Sequence, residues 1–161
     1  MAVDTTAIGA QTGAWHITLE RSVLANFARA VRDERPEYRS AGAPAPPTFT
    51  FAAPYWSAYF PEAQPPDPTR GGANPMHTIM GDLFAKGALV LHGEQEFEYH
   101  RMPRAGDVLD GDQRITDIYE KETDTAHMTF VVMETRWRDA SGGEPVVTER
   151  FNLIARIRKQ G

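Results

Sequence analysis

The feature that most constrains this chain is the segment TFTFAAPYWSAYF at residues 48–60, which is apolar around nearly its whole circumference. Its aromatic side chains are Phe49, Phe51, Tyr55, Trp56, Tyr59 and Phe60. Because a helix that is apolar on all sides is a buried helix, the sequence predicts a central helix that begins near Thr48. Pro54 predicts a kink or a restart inside it, since proline removes a backbone hydrogen bond.

Four segments in the second half of the chain alternate between apolar and polar residues, which is the pattern of β-strands. They are ALVLHGEQEFEYHRM (88–102), DGDQRITDIYEKET (110–123), TAHMTFVVMETRWRDA (125–140) and VVTERFNLIARIRK (146–159). Helices therefore come first and strands follow. This order predicts an α+β domain in which an antiparallel sheet packs on the buried helix. An exposed strand edge needs covering, so the long last strand is expected to pair edge to edge with another copy.

One amphipathic helix is predicted over residues 22–33. Its apolar side chains recur at helical spacing, at Val23, Leu24, Phe27, Ala28 and Val31. Ser22 is the expected N-cap and Pro36 the expected stop, because serine suits the first position and proline cannot continue a helix.

The remaining segments complete a single domain over residues 1–161. Residues 1–13 are small and polar and are expected to be flexible, and residues 15–20 read as a short strand or a lead-in to the helix. Residues 61–87 are dense in proline, glycine and asparagine, which predicts a long surface excursion. An excursion of this length is usually a lid, a binding loop or an interface segment.

Composition excludes several classes of function. The formal net charge of −5 argues against a nucleic-acid surface, which needs a basic excess. The chain has no cysteine, and its five histidines show no close ligand spacing, so neither a metal nor a cofactor is expected. The start of the chain does not read as a signal peptide. No apolar run approaches the length of a membrane span, so we expect a cytoplasmic protein without a membrane partner.

Several motifs together resemble the MaoC-like dehydratases. They are FARAVRDERPEY, APPTF, LHGEQEFEYHRMPRAGDVL and VTERFNLIARIR, which span about residues 15–158. More narrowly, they resemble the N-terminal (FAS1-like) dehydratase type, which includes the non-catalytic subunit of heterodimeric (R)-hydroxyacyl dehydratases. The resemblance implies a hot-dog fold, in which a curved antiparallel sheet wraps the helix at 48–60. It also implies acyl thioesters of coenzyme A or acyl carrier protein as substrates.

The resemblance places a degenerate catalytic site at Asp33 and Tyr38. Active members use an Asp, then Asn-Pro, then a His five residues after the Asp, because a carboxylate and an imidazole must act on one water. Here Asp33 falls at the Asp, Arg35 at the Asn and Tyr38 at the His. Tyrosine, with a pKa near 10, is a poor base at neutral pH. The glycine that begins the family's central helix falls near Pro46–Pro47, and proline has no N–H for a thioester oxyanion.

Further residues are candidates for contact with the substrate. They are Arg35, Thr48, Phe49, Tyr55, Trp56, His77 and His92. Each also has an ordinary interpretation: the aromatics as core, His77 as loop or lid, and His92 as a strand residue. Asn74-Pro75-Met76-His77 looks like the missing motif but follows the central helix, and Asp33 can equally be a solvated carboxylate paired with Arg35 or Arg39.

These observations predict a subunit of an (R)-specific enoyl-thioester hydratase or 3-hydroxyacyl-thioester dehydratase. This chain would bind the acyl chain, and a second MaoC-like subunit would supply the Asp and His. One alternative is a stand-alone enzyme that uses His77 or His92. Another is a non-catalytic homodimer that binds acyl thioesters, and a thioesterase is a third, since fold does not fix function.

Overall fold

The computed structural model describes residues 5–58 and 75–159, without the side chains of Trp56, Ser57 and Ala58. The described elements, in chain order, are β1 (Gln11–Thr18), α1 (Arg21–Ala30), a 3₁₀ turn (Pro36–Arg39), α2 (Phe49–Ala58), α3 (Pro75–Ala85), β2 (Leu89–Tyr99), β3 (Val108–Glu122), β4 (Ala126–Asp139) and β5 (Pro145–Arg158). Helices precede the long strands, as the sequence predicts for an α+β domain. Among the described residues, none of the helices has both the length and the apolarity that a membrane span requires.

The five strands form one antiparallel sheet in the order β1-β3-β4-β5-β2. β5 is hydrogen-bonded to β4 on one side and to β2 on the other. The expectation that the last strand pairs with another copy is therefore wrong, because both of its edges are already used. In the described part of the sheet, the open edges belong to β1 and β2.

Helix α2 lies against the inner face of this sheet, where Phe49 and Ala53 belong to the apolar core. The ring of Phe49 also meets Phe27 of α1 edge to face, with 5.3 Å between the centroids. The prediction of a central helix that contains Pro54 is confirmed. The helix is not buried on all sides, however, since Tyr55 is 66% exposed in the single chain.

Helix α3 corrects the prediction of an excursion over residues 61–87. Its residues Met76, Ile79, Met80 and Leu83 recur at helical spacing and pack on the sheet, and Leu83 is buried. The proline and glycine density that suggested a loop comes mostly from residues 61–74, which lie outside the described part of the chain. Proline is favoured in the first turn of a helix, so Pro75 marks the start of α3 rather than a continuing loop.

Two boundaries in the N-terminal part also differ from the prediction. Residues 11–13, expected to be flexible, belong to β1 and pair with β3. The residue that caps α1 is Glu20, and Ser22 lies inside the first turn. Apolar periodicity identifies the helix but does not fix its first residue, since helix boundaries vary by one or two positions.

The end of α1 sets the course of the chain into residues 33–39. Arg32 adopts a left-handed conformation with φ 60, its N–H donates to the Arg29 carbonyl, and the N–H of Asp33 donates to the Ala28 carbonyl at 2.8 Å. This pair of hydrogen bonds is a Schellman motif, in which the left-handed position usually holds glycine. The motif reverses the chain direction and places Asp33 beside the 3₁₀ turn.

We predict that Arg32→Gly raises the free energy of unfolding by about 1 kcal/mol, because glycine adopts this conformation without a side-chain clash. Urea unfolding measures the change. Ala30→Gly, in the right-handed last turn of α1, is the matched control and lowers stability, since glycine costs conformational entropy there. A loss of stability in both variants would contradict the strain assigned to Arg32.

Candidate functional site

Asp33 and Arg35 form a two-pronged ion pair just after α1. Arg35 donates from Nε to one carboxylate oxygen of Asp33 at 2.9 Å and from Nη2 to the other at 2.8 Å. The backbone N–H of Arg35 adds a third hydrogen bond at 3.3 Å. Arg35 lowers the pKa of Asp33, so this carboxylate is ionised, and its oxygens are held by one guanidinium. Of the two partners that the sequence offers for Asp33, the structure places Arg35 against it.

Tyr38 is joined to the same ion pair but lies deeper, with 3% of its surface exposed. Its hydroxyl accepts a hydrogen bond from Nη2 of Arg35, and the guanidinium carbon lies 4.9 Å from the centre of its ring. Burial raises the pKa of Tyr38, and its contact with Asp33 raises it further. The hydroxyl is therefore protonated at neutral pH and offers no base.

A cavity of about 350 Å³ opens beside these three residues. Its walls come from the second half of α1 and from residues 33–39. Neither predicted histidine lines it. His77 is an exposed residue of α3, and His92 contacts the rings of Phe151 and Phe51, with centroids 4.5 and 5.7 Å away. Among the described residues, no imidazole lines the cavity beside Asp33.

The first backbone N–H after the two prolines at the start of α2 is that of Thr48. Pro46 and Pro47 have no N–H, but Thr48 follows them in a left-handed conformation with φ 69. Its N–H donates to the Tyr99 hydroxyl at 3.3 Å. The loss of an oxyanion donor at Pro46–Pro47 stays a prediction, and the N–H of Thr48 already has a protein acceptor. A β-branched residue rarely adopts positive φ, so nothing in the sequence marks Thr48 for this geometry.

The other residues predicted to contact a substrate are spread along α2. Phe49 is buried in the core and Tyr55 is exposed. The side chain of Trp56 lies outside the described part of the structure. Phe51 contacts His92 and Phe151, which forms an aromatic cluster between α2 and the open edge strand β2.

Glu149 is a buried acid that the sequence interpretation missed. Only 3% of its surface is exposed, and it accepts one hydrogen bond, at 3.0 Å, from Nε1 of Trp137. Burial raises the pKa of Glu149 to about 7, although Thr50 and Trp137 both favour its charged form. The Thr50 hydroxyl is close enough to act on Glu149 but forms no well-aligned hydrogen bond with it. The alternation Val147, Glu149, Phe151 already places this acid on the inner face.

Comparison with known proteins identifies both relatives and the fold. Residues 6–149 match the family described as FAS1-like, dehydratase domain region. A curated relative from Streptomyces griseus, named UPF0336 protein, is 30% identical over 172 aligned positions and covers 99% of both chains. This match extends over essentially the whole chain.

Two solved structures from Mycobacterium tuberculosis share the architecture. The C-terminally truncated HadBC (3R-hydroxyacyl-ACP dehydratase) complex is similar with TM-score 0.61 and 21% identity, covering 94% of this chain and 99% of that one. The ChsH1–ChsH2 complex is similar with TM-score 0.67 and 16% identity, covering 94% and 86%. The fold is thus the hot-dog fold of MaoC-like dehydratases, as the resemblance implies.

We predict that Glu149 makes the protein less stable as pH rises from about 4.5 to 7. Below this window the acid is protonated in both states. Within it the unfolded chain loses the proton first, so the native state is penalised by up to about 3 kcal/mol. Glu149→Gln removes this penalty and keeps the acceptor for Trp137. Urea unfolding at pH 5 and pH 8 measures the difference.

Glu98→Gln, at an exposed position of β2, is the matched control for that experiment. It is expected to leave the pH dependence of unfolding as in the unmodified protein. An equal pH dependence in Glu149→Gln and the unmodified protein would show that Glu149 is not the group responsible.

Proposed function

From the premise that the chain belongs to the FAS1-like dehydratase family, we propose that it is the substrate-holding subunit of an (R)-specific enoyl-thioester hydratase or 3-hydroxyacyl-thioester dehydratase. A second MaoC-like subunit supplies the catalytic Asp and His. The acyl group is carried by coenzyme A or acyl carrier protein. The observation that carries this proposal is the contact of Arg35 with both Asp33 and Tyr38.

The reaction needs a base that this corner of the chain does not offer. Water adds to or leaves C3 while a proton moves at C2, which takes a carboxylate and an imidazole on one water. Asp33 is neutralised by Arg35, and Tyr38 keeps its proton because burial raises its pKa. A partner that contributes both groups removes this deficiency.

The open edge strand β2 supports a partner subunit. It pairs with β5 on one side only, and its Leu89 and Leu91 are 57% and 41% exposed. Tyr55 of α2 is exposed as well. Unpaired strand edges and exposed apolar patches are features of interaction surfaces. The two solved relatives described above are both complexes by name.

The aromatic cluster of Phe51, His92 and Phe151 supports acyl binding. It lies between α2 and β2, next to the bulge that separates His92 from Gln95. Gly93 in this bulge sits against the Asn152 carbonyl, where a Cβ would come within 2.7 Å. The imidazole of His92 lies against the rings of Phe51 and Phe151, and the cluster offers an apolar wall for a hydrocarbon chain.

We predict that the purified chain alone does not hydrate crotonyl-coenzyme A or a longer enoyl thioester, followed by loss of the enoyl absorbance. Co-purified with a MaoC-like chain that retains the Asp and His motif, it is expected to give turnover. Replacing the partner's His by Ala should lower the turnover number at least about 100-fold, the usual contribution of general acid–base catalysis. Asp33→Asn in this chain should leave the turnover number within about threefold of that of the unmodified complex.

Robust turnover by the chain alone would overturn the proposal. His77→Ala, His92→Ala and Asp33→Asn would then identify the residue that acts. A stable homodimer that binds an acyl thioester, and that no MaoC-like partner activates, would instead establish a non-catalytic binding protein.

We predict that Leu91→Lys weakens assembly with the catalytic subunit about tenfold, which corresponds to about 1.4 kcal/mol. Leu91 is exposed in the single chain, and burying its side chain at the interface stabilises the complex by at least about this much. Sedimentation or calorimetric titration measures the affinity. Val31→Lys, at an exposed apolar position of the chain outside β2, is the matched control and should not change it. Equal effects of the two substitutions would exclude β2 from the interface.

A further inference from the structure

The cavity beside α1 has a positive lining in a chain that is acidic overall. Three of its residues are arginines, Arg29, Arg35 and Arg39, and two are acids, Asp33 and Glu34. The whole chain, by contrast, has a formal net charge of −5. Three arginines against two acids leave the lining with a formal excess of one positive charge, which favours anions over cations in a concave site.

The two acids do not neutralise the three arginines. Asp33 is engaged by Arg35, which also contacts Glu37 outside the lining, at 3.3 Å. Among the described residues, no carboxylate lies within salt-bridge distance of Arg29 or Arg39. Arg29 donates one hydrogen bond, to the Asn26 side chain at 3.2 Å. Each guanidinium has five N–H donors, so most of them remain available at the cavity.

The space itself fits a small ligand. Its volume of about 350 Å³ lies within the range of small-molecule sites, roughly 300–1,000 Å³. Ala25 and Ala28 of α1 line the cavity with short side chains, and the buried Tyr38 lines another part of it. Arg29 and Arg39 are both exposed, so an anionic group can reach them from solvent.

We infer that this cavity binds the phosphate of the 4′-phosphopantetheine arm, which coenzyme A and acyl carrier protein have in common. The inference rests on the proposed function for the identity of the carrier. Arginine matches phosphate by paired N–H···O hydrogen bonds, which are stronger than neutral ones. Arg29 and Arg39 are the binding groups, and Arg35 is withheld by Asp33.

Calorimetric titration of the full chain tests the inference with four probes: coenzyme A, 4′-phosphopantetheine, inorganic phosphate and unphosphorylated pantetheine. The first two should bind, with an affinity that falls as salt concentration rises, and pantetheine should not. Binding of coenzyme A without 4′-phosphopantetheine would point to the nucleotide phosphates. Equal affinity for inorganic phosphate and the esters would overturn the assignment to the carrier.

Single substitutions identify the arginines. Arg29→Gln and Arg39→Gln should each weaken coenzyme A binding about tenfold, since each removes a charged hydrogen-bond pair. Arg21→Gln is the matched control, because Arg21 is an exposed arginine of α1 that does not line the cavity. Equal affinities for all three variants would overturn the inference.

Asp33→Asn gives a result of opposite sign. It removes a negative charge from the lining and releases Arg35, so coenzyme A should bind several-fold more tightly. Weaker binding in this variant would contradict the assigned role of Arg35 and Asp33.

Failure of the cavity and failure of the proposed function can be told apart. An active complex whose KM for the thioester is unchanged by Arg29→Gln and Arg39→Gln would support the proposed function and exclude phosphate binding at the cavity. If coenzyme A binding depends on these arginines but no partner activates the chain, phosphate binding at the cavity is supported and the proposed function is excluded.

Discussion

The packing of α2 on the inner face of the sheet is the contact on which the rest of this structure depends. Phe49 and Ala53 bury one side of the helix in the core, and Ala53 allows the close approach because its side chain is small. The opposite side leaves Tyr55 in solvent. The same helix therefore contributes both to the core and to the exposed surface of the single chain, and this exposed side is the one that the proposed partner would cover.

The same helix brings one buried polar side chain close to another. Thr50, in its first turn, lies near Glu149 of β5, whose carboxyl accepts from Trp137 of β4. A buried acid with one good hydrogen bond costs stability once it ionises. Its presence beneath the start of α2 means that the position of this helix end and the protonation of one side chain are coupled.

The sequence predicts the strands well because alternation at period two reports which residues face the core. It does not report which strands are neighbours, so it could not show that β5 is internal and β2 is the edge. The inward position of Glu149 was readable from the same alternation. The conformation of Thr48 could not be predicted in this way, because its left-handed backbone is imposed by the chain around it. The degenerate site at Asp33 and Tyr38 is predicted from family resemblance. The contact of Arg35 with both residues is visible only in the structure.

Arg35 acts on two features at once, because it binds the Asp33 carboxylate and also lines the cavity. Arg35 donates to both oxygens of Asp33, so in the proposed function this carboxylate does not activate a water. The ion pair sets one negative charge of the cavity lining against one positive charge, and the other charged residues of the lining are Arg29, Arg39 and Glu34. The proposed function and the inferred anion site therefore depend on the same residue, because Arg35 engages Asp33 and leaves Arg29 and Arg39 to bind the phosphate.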